Sequence, residues 1–308
     1  MSVYTSVGRD ELVGWLAPLA VGELTDLAGI AAGIQNSNYF VSTAQGRFVL
    51  TLFERIEPVA LDFYLRLMAH LAARGLPCPQ PLTTPAGERW RMLAGKPAAL
   101  LSCLPGRIEE APDAGHCHAL GDMLARLHLA AADLVDAPEN PCGAAWREQV
   151  GADLLPLLDG ADRMLLADEL AFQRAQDYAS LPAGVVHADL FRDNVLWAAD
   201  GSLGGLLDFY FAGRDAWLFD LAVVANDWCA DAATLAALIV GYADRRPLSD
   251  LEKQAWPAMR RAAALRFWLL RLEAAHRPRQ GDVVTVKDPL HFRDMLLRFR
   301  LAPQPLPR

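Results

Sequence analysis

Residues 187–194 read His-Ala-Asp-Leu-Phe-Arg-Asp-Asn, and residues 206–209, a little further along the chain, read Leu-Leu-Asp-Phe. The first run follows the apolar pair Val185–Val186 and so predicts a loop after a buried strand. A turn signal, Ala-Asp-Gly at 199–201, separates two short apolar segments and predicts a hairpin. This hairpin would bring Asp208, at the end of its second segment, back to the loop. The sequence therefore predicts one cluster of polar side chains from the two segments.

The residues of this cluster are the types that phosphoryl transfer requires. Asp189 can accept the proton of a substrate hydroxyl. Asn194 and Asp208 offer a neutral and an anionic oxygen, the ligands that Mg²⁺ prefers, and such an ion neutralises nucleotide phosphates. Each residue alone is better explained as a turn former or a strand-end cap. The spacing of all four, with His187 two residues before Asp189, favours a phosphotransferase.

Three further residues have predicted roles around this loop. Arg192 lies inside the loop, where its guanidinium could reach the transferring phosphate and assist catalysis. It could equally form an ion pair with Asp193 or another surface acid, and the sequence leaves both readings open. Asp220 falls at a predicted helix start, where we expect it to support the loop through backbone hydrogen bonds. We expect His187 to give structural support as well.

The first hundred residues predict an antiparallel sheet of five strands and one prominent helix. The helix spans about 57–74, because apolar residues recur there at helical spacing and Gly75 is placed to end it. A shorter amphipathic helix is predicted within 6–19. The strands are predicted at 24–30, 39–42, 47–53, 89–93 and 97–104.

Beyond Gly106 the pattern becomes helical. Helices are predicted near 120–128, 151–178, 216–230, 231–245, 250–276 and 288–300. Together these elements predict an α+β fold with a protein kinase-like bilobal layout. The predicted division is a nucleotide-binding, antiparallel-sheet lobe at 1–105, a larger and mostly helical catalytic and substrate-binding lobe at 106–301, and a Pro-rich tail at 302–308.

This layout predicts where ATP would bind on the small lobe. The loop before residue 39 can offer backbone amides to phosphates. The stretch that joins the lobes would follow the adenine. The predicted nucleotide contacts are Gly33, Asn36, Ser37, Asn38, Thr51, Ser102, Cys103 and Leu104.

Composition and charge exclude several other classes of protein. The chain has 308 residues, 53% of them hydrophobic, and a formal net charge of -8. The acidic balance argues against a general nucleic-acid binder, which needs a basic face. Neither a membrane-spanning apolar run nor a signal peptide is evident, so we expect a cytoplasmic protein. The five cysteines are scattered and fit small buried residues.

The spaced motifs resemble the aminoglycoside phosphotransferase and choline kinase superfamily. The residues on which this resemblance rests are His187–Asn194, Asp208–Tyr210 and Asp220–Ala222. Within the superfamily the chain is most similar to the homoserine kinases, on the stretches 33–41, 49–54, 208–212, 226–229 and 284–289. The resemblance implies a kinase-like fold, ATP as phosphoryl donor with Mg²⁺, and the small molecule L-homoserine as substrate, phosphorylated on its hydroxyl in threonine biosynthesis.

One position departs from the kinase pattern. Kinases carry a Lys on the third strand that pairs with the nucleotide phosphates and a helix Glu. Here Thr51 occupies the expected place, and the helix offers Asp62. Phosphate binding would then depend on loop amides, Mg²⁺ and Arg47 or Arg55. A nucleotide-binding pseudokinase is the corresponding alternative, although the base and metal positions are intact.

The substrate pocket is less well defined by the sequence. A zwitterionic amino acid needs an Arg for its carboxylate and an acid or carbonyl groups for its ammonium. The candidates are Asp227, Arg266 and Arg271. Kinases of choline or ethanolamine, of aminoglycosides or of sugars are the rival readings. A choline kinase would need an aromatic cage around the quaternary ammonium, for which Trp217, Trp228 and Trp268 are available.

Overall fold

The computed structural model describes residues 4–30, 36–277 and 288–307. The predicted loop residue Gly33 and the stretch 284–287 therefore lie outside the described residues. The chain divides into two compact units. The first comprises residues 1–106 with 204–206, and the second comprises 107–203 with 207–308.

The first unit is built on a five-stranded antiparallel sheet. Its strands are β1 (Leu24–Gly29), β2 (Ser37–Thr43), β3 (Gly46–Leu52), β4 (Arg91–Leu93) and β5 (Lys96–Ser102). They lie in the order β1-β2-β3-β5-β4. Alternate residues of β2 are buried, as expected for a strand with one face on a core. The predicted fourth strand began at residue 89, but β4 begins two residues later.

Two helices belong to this unit, α1 (Arg9–Leu16) and α2 (Pro58–Ala73). α2 begins with a proline, whose missing N–H costs nothing in the first turn. It ends just before Gly75, which has the positive φ of +77° that suits a glycine. The apolar face of α2 is buried, and the leucines recur at helical spacing because they all lie on this face, packed against the core.

The second unit is mostly helical. Its helices are α3 (Ala114–Ala130), α4 (Ala144–Leu154), α5 (Gly160–Arg174), α6 (Trp217–Trp228), α7 (Ala232–Arg245), α8 (Asp250–His276) and α9 (Leu290–Leu301). The predicted bounds of α8 agree with the structure. Within residues 4–30, 36–277 and 288–307, no helix combines the length and apolar character needed to span a membrane.

α3 and α7 approach each other at two glycines. A Cβ added to Gly121 would lie 2.2 Å from the carbonyl oxygen of Leu238, and one added to Gly241 would lie 2.1 Å from that of His118. Real Cβ atoms do not approach oxygen so closely, so the two backbones touch where no side chain separates them.

The helical region predicted at 151–178 is wrong in its extent. The structure has α4 and α5 there, separated by a 3₁₀ turn at Leu155–Leu157 that contains Pro156. Proline lacks an N–H and its ring collides with the carbonyl four residues earlier, so it ends α4 where a continuous helix had been expected.

Short strands place the catalytic segment within the second unit. β6 (Ala183–Val186) leads directly into residues 187–194, and it pairs antiparallel with β9 (Gly213–Ala216). α6 starts immediately after β9, beside the start of β6, where the N–H of Trp217 donates to the oxygen of Pro182 at 3.1 Å.

The hairpin predicted around residues 199–201 is present as a turn, in which the N–H of Ala198 donates to the oxygen of Ser202 at 2.8 Å. The turn lies between the short strands β7 (Val195–Trp197) and β8 (Leu203–Leu206). The second strand was predicted to reach Asp208 but ends at Leu206. Asp208 has a left-handed φ of +59°, which a strand does not accommodate.

Candidate active site

Asp220, in the first turn of α6, contacts the start of the loop at residues 187–194, which is called the catalytic loop after its predicted role. Its Oδ2 accepts a hydrogen bond from the N–H of His187 at 2.7 Å, and its Oδ1 accepts one from the N–H of Ala188 at 2.8 Å. Ala188 has a left-handed φ of +65°, which is costly for a residue with a Cβ. The two backbone hydrogen bonds to a buried carboxylate therefore stabilise a conformation that the loop would not adopt alone.

The carboxylate of Asp220 is itself supported by a buried histidine. Nε2 of His128, on α3, lies 3.1 Å from Oδ2 of Asp220, and its Nδ1 lies 2.8 Å from the hydroxyl of Tyr242. Burial raises the pKa of Asp220, but the hydrogen bonds that its carboxylate accepts from His128 and from the N–H of His187 outweigh that effect, so the pKa lies below its usual range. Burial lowers the pKa of His128 and of His187. Both histidines are therefore neutral partners near neutral pH.

Asp189, the predicted base, is paired with an arginine from α8. Nη1 of Arg266 lies 3.0 Å from Oδ1 of Asp189. Arg266 is fully buried and its guanidinium lies 3.9 Å from the ring centroid of Phe267. Burial raises the pKa of Asp189 above its usual value, while the charge of Arg266 acts in the opposite direction. Arg266 was predicted to bind the substrate, and the structure places its Nη1 beside Asp189, the predicted base.

Asn194 and Asp208 come together next to Asp189. The Asn194 side-chain amide donates to the backbone oxygen of Asp189 at 2.8 Å, which leaves its own oxygen available. The N–H of Leu207 donates to the backbone oxygen of Asn194 at 2.8 Å and so ties the segment of Asp208 to the loop.

The carboxylate of Asp208 has the features of a cation ligand. Its Oδ1 is buried and has no hydrogen-bond partner among the described residues. Burial, with the charge of Asp189, raises the pKa of Asp208 to about 7. A divalent cation would favour the ionised form and satisfy the orphaned oxygen, so the residues present fit Mg²⁺.

Two of the predicted functional residues are paired with each other. Arg192 donates from its N–H and its Nε to Oδ2 of Asp227, at 2.8 and 3.2 Å, and its Nη1 donates to the oxygen of Glu110. Of the two readings of Arg192, the ion pair is therefore the one that the structure contains. Arg271 lies elsewhere on α8, where its Nη1 donates to the oxygen of Asp288 at 2.6 Å.

The predicted nucleotide residues of the first unit have their own contacts. The Ser37 hydroxyl accepts from the N–H groups of Tyr4 and Thr5 and donates to Glu54, so it is engaged in the fold. Thr51 donates to the side-chain oxygen of Asn38 at 2.8 Å.

The remaining predicted contacts of this unit differ in exposure. Asn36 is buried before β2. The Ser102 hydroxyl accepts from the N–H of Gln80. Cys103 and Leu104 follow β5 and are half-buried.

Three polar residues of the second unit, Asn140, Arg147 and Asp215, were not singled out from the sequence. Arg147 on α4 is only 4% exposed. Its Nη1 donates to the oxygen of Cys142 at 3.4 Å. Asp215, in β9, accepts from the side-chain amide of Asn140 at 2.8 Å. No short-range signal marks these residues, because they come from a loop, a weakly patterned helix and a short strand.

Residues 26–279 match the sequence model of the APH phosphotransferase enzyme family. This region is most of the chain, and the chain belongs to that family. The superfamily resemblance inferred from the spaced motifs is therefore confirmed.

Named relatives narrow the class further. The homoserine kinase of Cupriavidus pinatubonensis (strain JMP 134) is 48% identical over 320 aligned residues, which cover 98% of this chain and 97% of that protein. The homoserine kinase of Methylobacillus flagellatus (strain KT) is 46% identical, with 96% of this chain and 94% of that protein covered.

Solved structures agree in fold. Amicoumacin kinase hAmiN in complex with AMP-PNP, Ca²⁺ and Ami has a TM-score of 0.68 at 16% identity, covering 96% of this chain and 92% of that one. Choline kinase LicA from Streptococcus pneumoniae has a TM-score of 0.68 at 12% identity, covering 95% and 97%. The predicted kinase-like bilobal α+β fold is confirmed.

Proposed function

We propose that the protein is a homoserine kinase, which transfers the γ-phosphate of ATP to the hydroxyl of L-homoserine and gives O-phospho-L-homoserine. The observation that carries the proposal is the near full-length similarity to homoserine kinases, combined with an Asp189 that is held beside Asn194 and Asp208.

In this proposal Asp189 is the catalytic base. Its Oδ1 is occupied by Arg266, which fixes the orientation of the carboxylate. Its Oδ2 accepts only a long hydrogen bond from the Asn194 amide, at 3.5 Å, and keeps a lone pair to accept the proton of the substrate hydroxyl as that oxygen attacks phosphorus. Positioning supplies most of the rate acceleration in phosphoryl transfer, so a base that is held by a buried arginine suits this reaction.

Asn194 and Asp208 would hold Mg²⁺ through the Asn194 oxygen and the orphaned Oδ1 of Asp208. Bound there, the ion would neutralise charge on the nucleotide phosphates. No group of three or more His, Cys, Asp and Glu side chains in the described parts of the chain could hold a metal. Two protein ligands, completed by phosphate and water, are the usual Mg²⁺ arrangement, so the sparse ligand set fits.

The nucleotide would bind the sheet-rich unit, along the residues predicted from the sequence. Thr51 stands where kinases usually have a lysine. Its side chain is uncharged and its hydroxyl donates to Asn38, so we assign it no role in neutralising the phosphates. Arg192 would act through position: its ion pair with Asp227 fastens the end of the catalytic loop to α6.

The structure also bears on the choline alternative. A cage for a quaternary ammonium requires aromatic faces that the ligand can reach. Trp228 and Trp268 are 2% and 1% exposed, because both belong to the core of the second unit. Trp217 is half-buried, and its ring stacks against His128 and has the guanidinium of Arg246 4.6 Å from its centroid. This arrangement favours a substrate without a quaternary ammonium.

A coupled assay of ADP release tests the proposal. The enzyme with Mg²⁺ is supplied in turn with L-homoserine, choline, kanamycin and several sugars, and we expect turnover with homoserine far above the others. Turnover of choline alone would contradict the substrate assignment. Absence of turnover with every hydroxyl donor, in a protein that still binds ATP, would favour the pseudokinase alternative.

A further inference from the structure

Arg266 contacts the proposed base through one nitrogen. Its Nη1 donates to Oδ1 of Asp189 at 3.0 Å, while its Nε and Nη2 are buried and have no hydrogen-bond partner among the described residues. An arginine often binds a carboxylate through two parallel N–H bonds, which set the orientation of both groups. A single hydrogen bond leaves the guanidinium free to pivot about that bond. Other contacts must therefore fix the position of Arg266.

Two aromatic rings lie against this guanidinium. Cζ of Arg266 is 3.9 Å from the ring centroid of Phe267 and 4.8 Å from that of Phe211. The electron-rich face of a ring attracts a cation, and the attraction is larger where water is excluded, as it is around this fully buried arginine. Consecutive helical positions point about 100° apart, so helix geometry alone does not bring Arg266 and Phe267 together. Phe267 is the nearer ring and the stronger contact.

The ring of Phe267 also contacts the catalytic loop. Phe191 follows Asp189 by two residues, and its ring centroid lies 4.3 Å from that of Phe267. Pairs of aromatic rings at this separation attract each other beyond the effect of the area they bury. The loop that carries the base and the arginine that orients its carboxylate therefore rest on one rigid ring.

A third ring, from α9, packs against the other two. The ring centroid of Phe292 lies 5.0 Å from that of Phe267 and 6.0 Å from that of Phe191, with interplanar angles of 25° and 24°. The guanidinium of Arg271 lies 4.4 Å from the centroid of Phe292, and its Nη1 donates to the oxygen of Asp288 just before α9. Rings from the loop, α8 and α9 thus form one cluster, which restrains Phe267 from moving away from Arg266.

We propose that Phe267 is a positioning residue for phosphoryl transfer, whose ring keeps Arg266 in the place from which Arg266 orients the carboxylate of Asp189. The inference rests on the proposed kinase activity and deepens it, because it names the group that keeps the base aligned. Phe267 acts through Arg266 and not on the reacting atoms. Its loss should therefore slow the chemical step and leave substrate binding nearly unchanged.

Fluorinated phenylalanines test the contact with little change in the shape of the core. Fluorine withdraws electron density from the face of a ring and so weakens its attraction for a cation. Incorporated at position 267, mono-, di- and trifluorophenylalanine should lower kcat for homoserine stepwise, by about 10-fold across the series. KM should stay within about twofold of wild type. A ring that serves packing alone would give the same kcat throughout, because its volume hardly changes.

Phe267→Leu removes the ring, and Phe299→Leu is its matched control. The two phenylalanines are 6% and 8% exposed, and Phe299 also adjoins a buried arginine, with Cζ of Arg260 4.3 Å from its ring centroid. Arg260, however, donates to the side chain of Asn226 and not to the base. Both variants should lower the melting temperature by similar amounts, because each loses one buried ring. Only Phe267→Leu should also lower kcat, by about 30-fold.

A crystal structure of Phe267→Leu gives a readout that does not depend on activity. In it, Nη1 of Arg266 should no longer lie within hydrogen-bond distance of Oδ1 of Asp189. The inference is overturned by an unchanged contact in that structure, by a constant kcat across the fluorinated series, or by equal kcat losses in the two leucine variants. A wild-type enzyme that does not phosphorylate homoserine would instead refute the proposed function, while the crystal structure would still test the role of Phe267.

Discussion

Asp220→Asn should destabilise the second unit although the change is nearly isosteric. The carboxylate accepts from two backbone N–H groups and from His128. The asparagine offers one oxygen, and its NH₂ group then faces a buried N–H. Leaving that donor unsatisfied costs about 1–3 kcal/mol. The remaining hydrogen bonds also lose their charge assistance, so the total is about 3 kcal/mol. At about 2–4 °C per kcal/mol, the melting temperature should fall by about 6–12 °C.

The measurement is thermal unfolding followed by circular dichroism, together with kcat for homoserine. We expect the loss of kcat to exceed the loss of folded protein at the assay temperature. The reason is that the hydrogen bonds removed by the substitution hold Ala188 in its left-handed conformation. Asp244→Asn is the control, since Asp244 is exposed and 3.9 Å from His118; it should change little. A melting temperature for Asp220→Asn within about 2 °C of wild type would refute the reasoning.

Three other predictions concern the same loop. Asp189→Asn should abolish turnover while ATP still binds, measured by calorimetry; substantial residual activity would exclude Asp189 as the base. Because burial lowers the pKa of His128 and His187 in the folded protein, the unfolded chain takes up protons that the folded one does not as pH falls below about 6.5. Stability should therefore be complete above that pH and decrease below it by up to about 2.7 kcal/mol per pH unit, as urea midpoints at pH 7.5, 6.5 and 5.5 would show. A flat profile would mean that the histidines are not neutral. Finally, Arg192→Met and Asp227→Asn should each lower kcat, and the double variant should be no worse than the more impaired single one, because both remove one ion pair; additive losses would show separate roles.

Sequence reasoning performed well where the information is local. The loop 187–194 and Asp208 are close along the chain, so spacing and a turn signal were sufficient to bring them together. The helical spacing in α2 and α8 likewise predicted those helices. Pro156 lies inside the helix predicted at 151–178, and the structure has two helices there because the proline ends the first.

The contacts that define the site's electrostatics come from distant parts of the chain. Arg266 is 77 residues from Asp189, and Asp227 is 35 residues from Arg192. Each residue was identified as a candidate, but its partner depends on how helices pack, and no periodicity records that.

The touching backbones of α3 and α7 affect how loss-of-function variants would be interpreted. A side chain at Gly121 or Gly241 has no room, and α3 also carries His128, which supports Asp220 and through it the catalytic loop. In a saturation screen scored by growth, both glycines would rank with the catalytic residues although neither approaches a reacting atom. Measuring protein abundance beside growth would separate the two groups, because glycine variants should deplete the protein itself, whereas Asp189→Asn, which keeps an oxygen to accept from Arg266, should lose activity with a much smaller loss of protein.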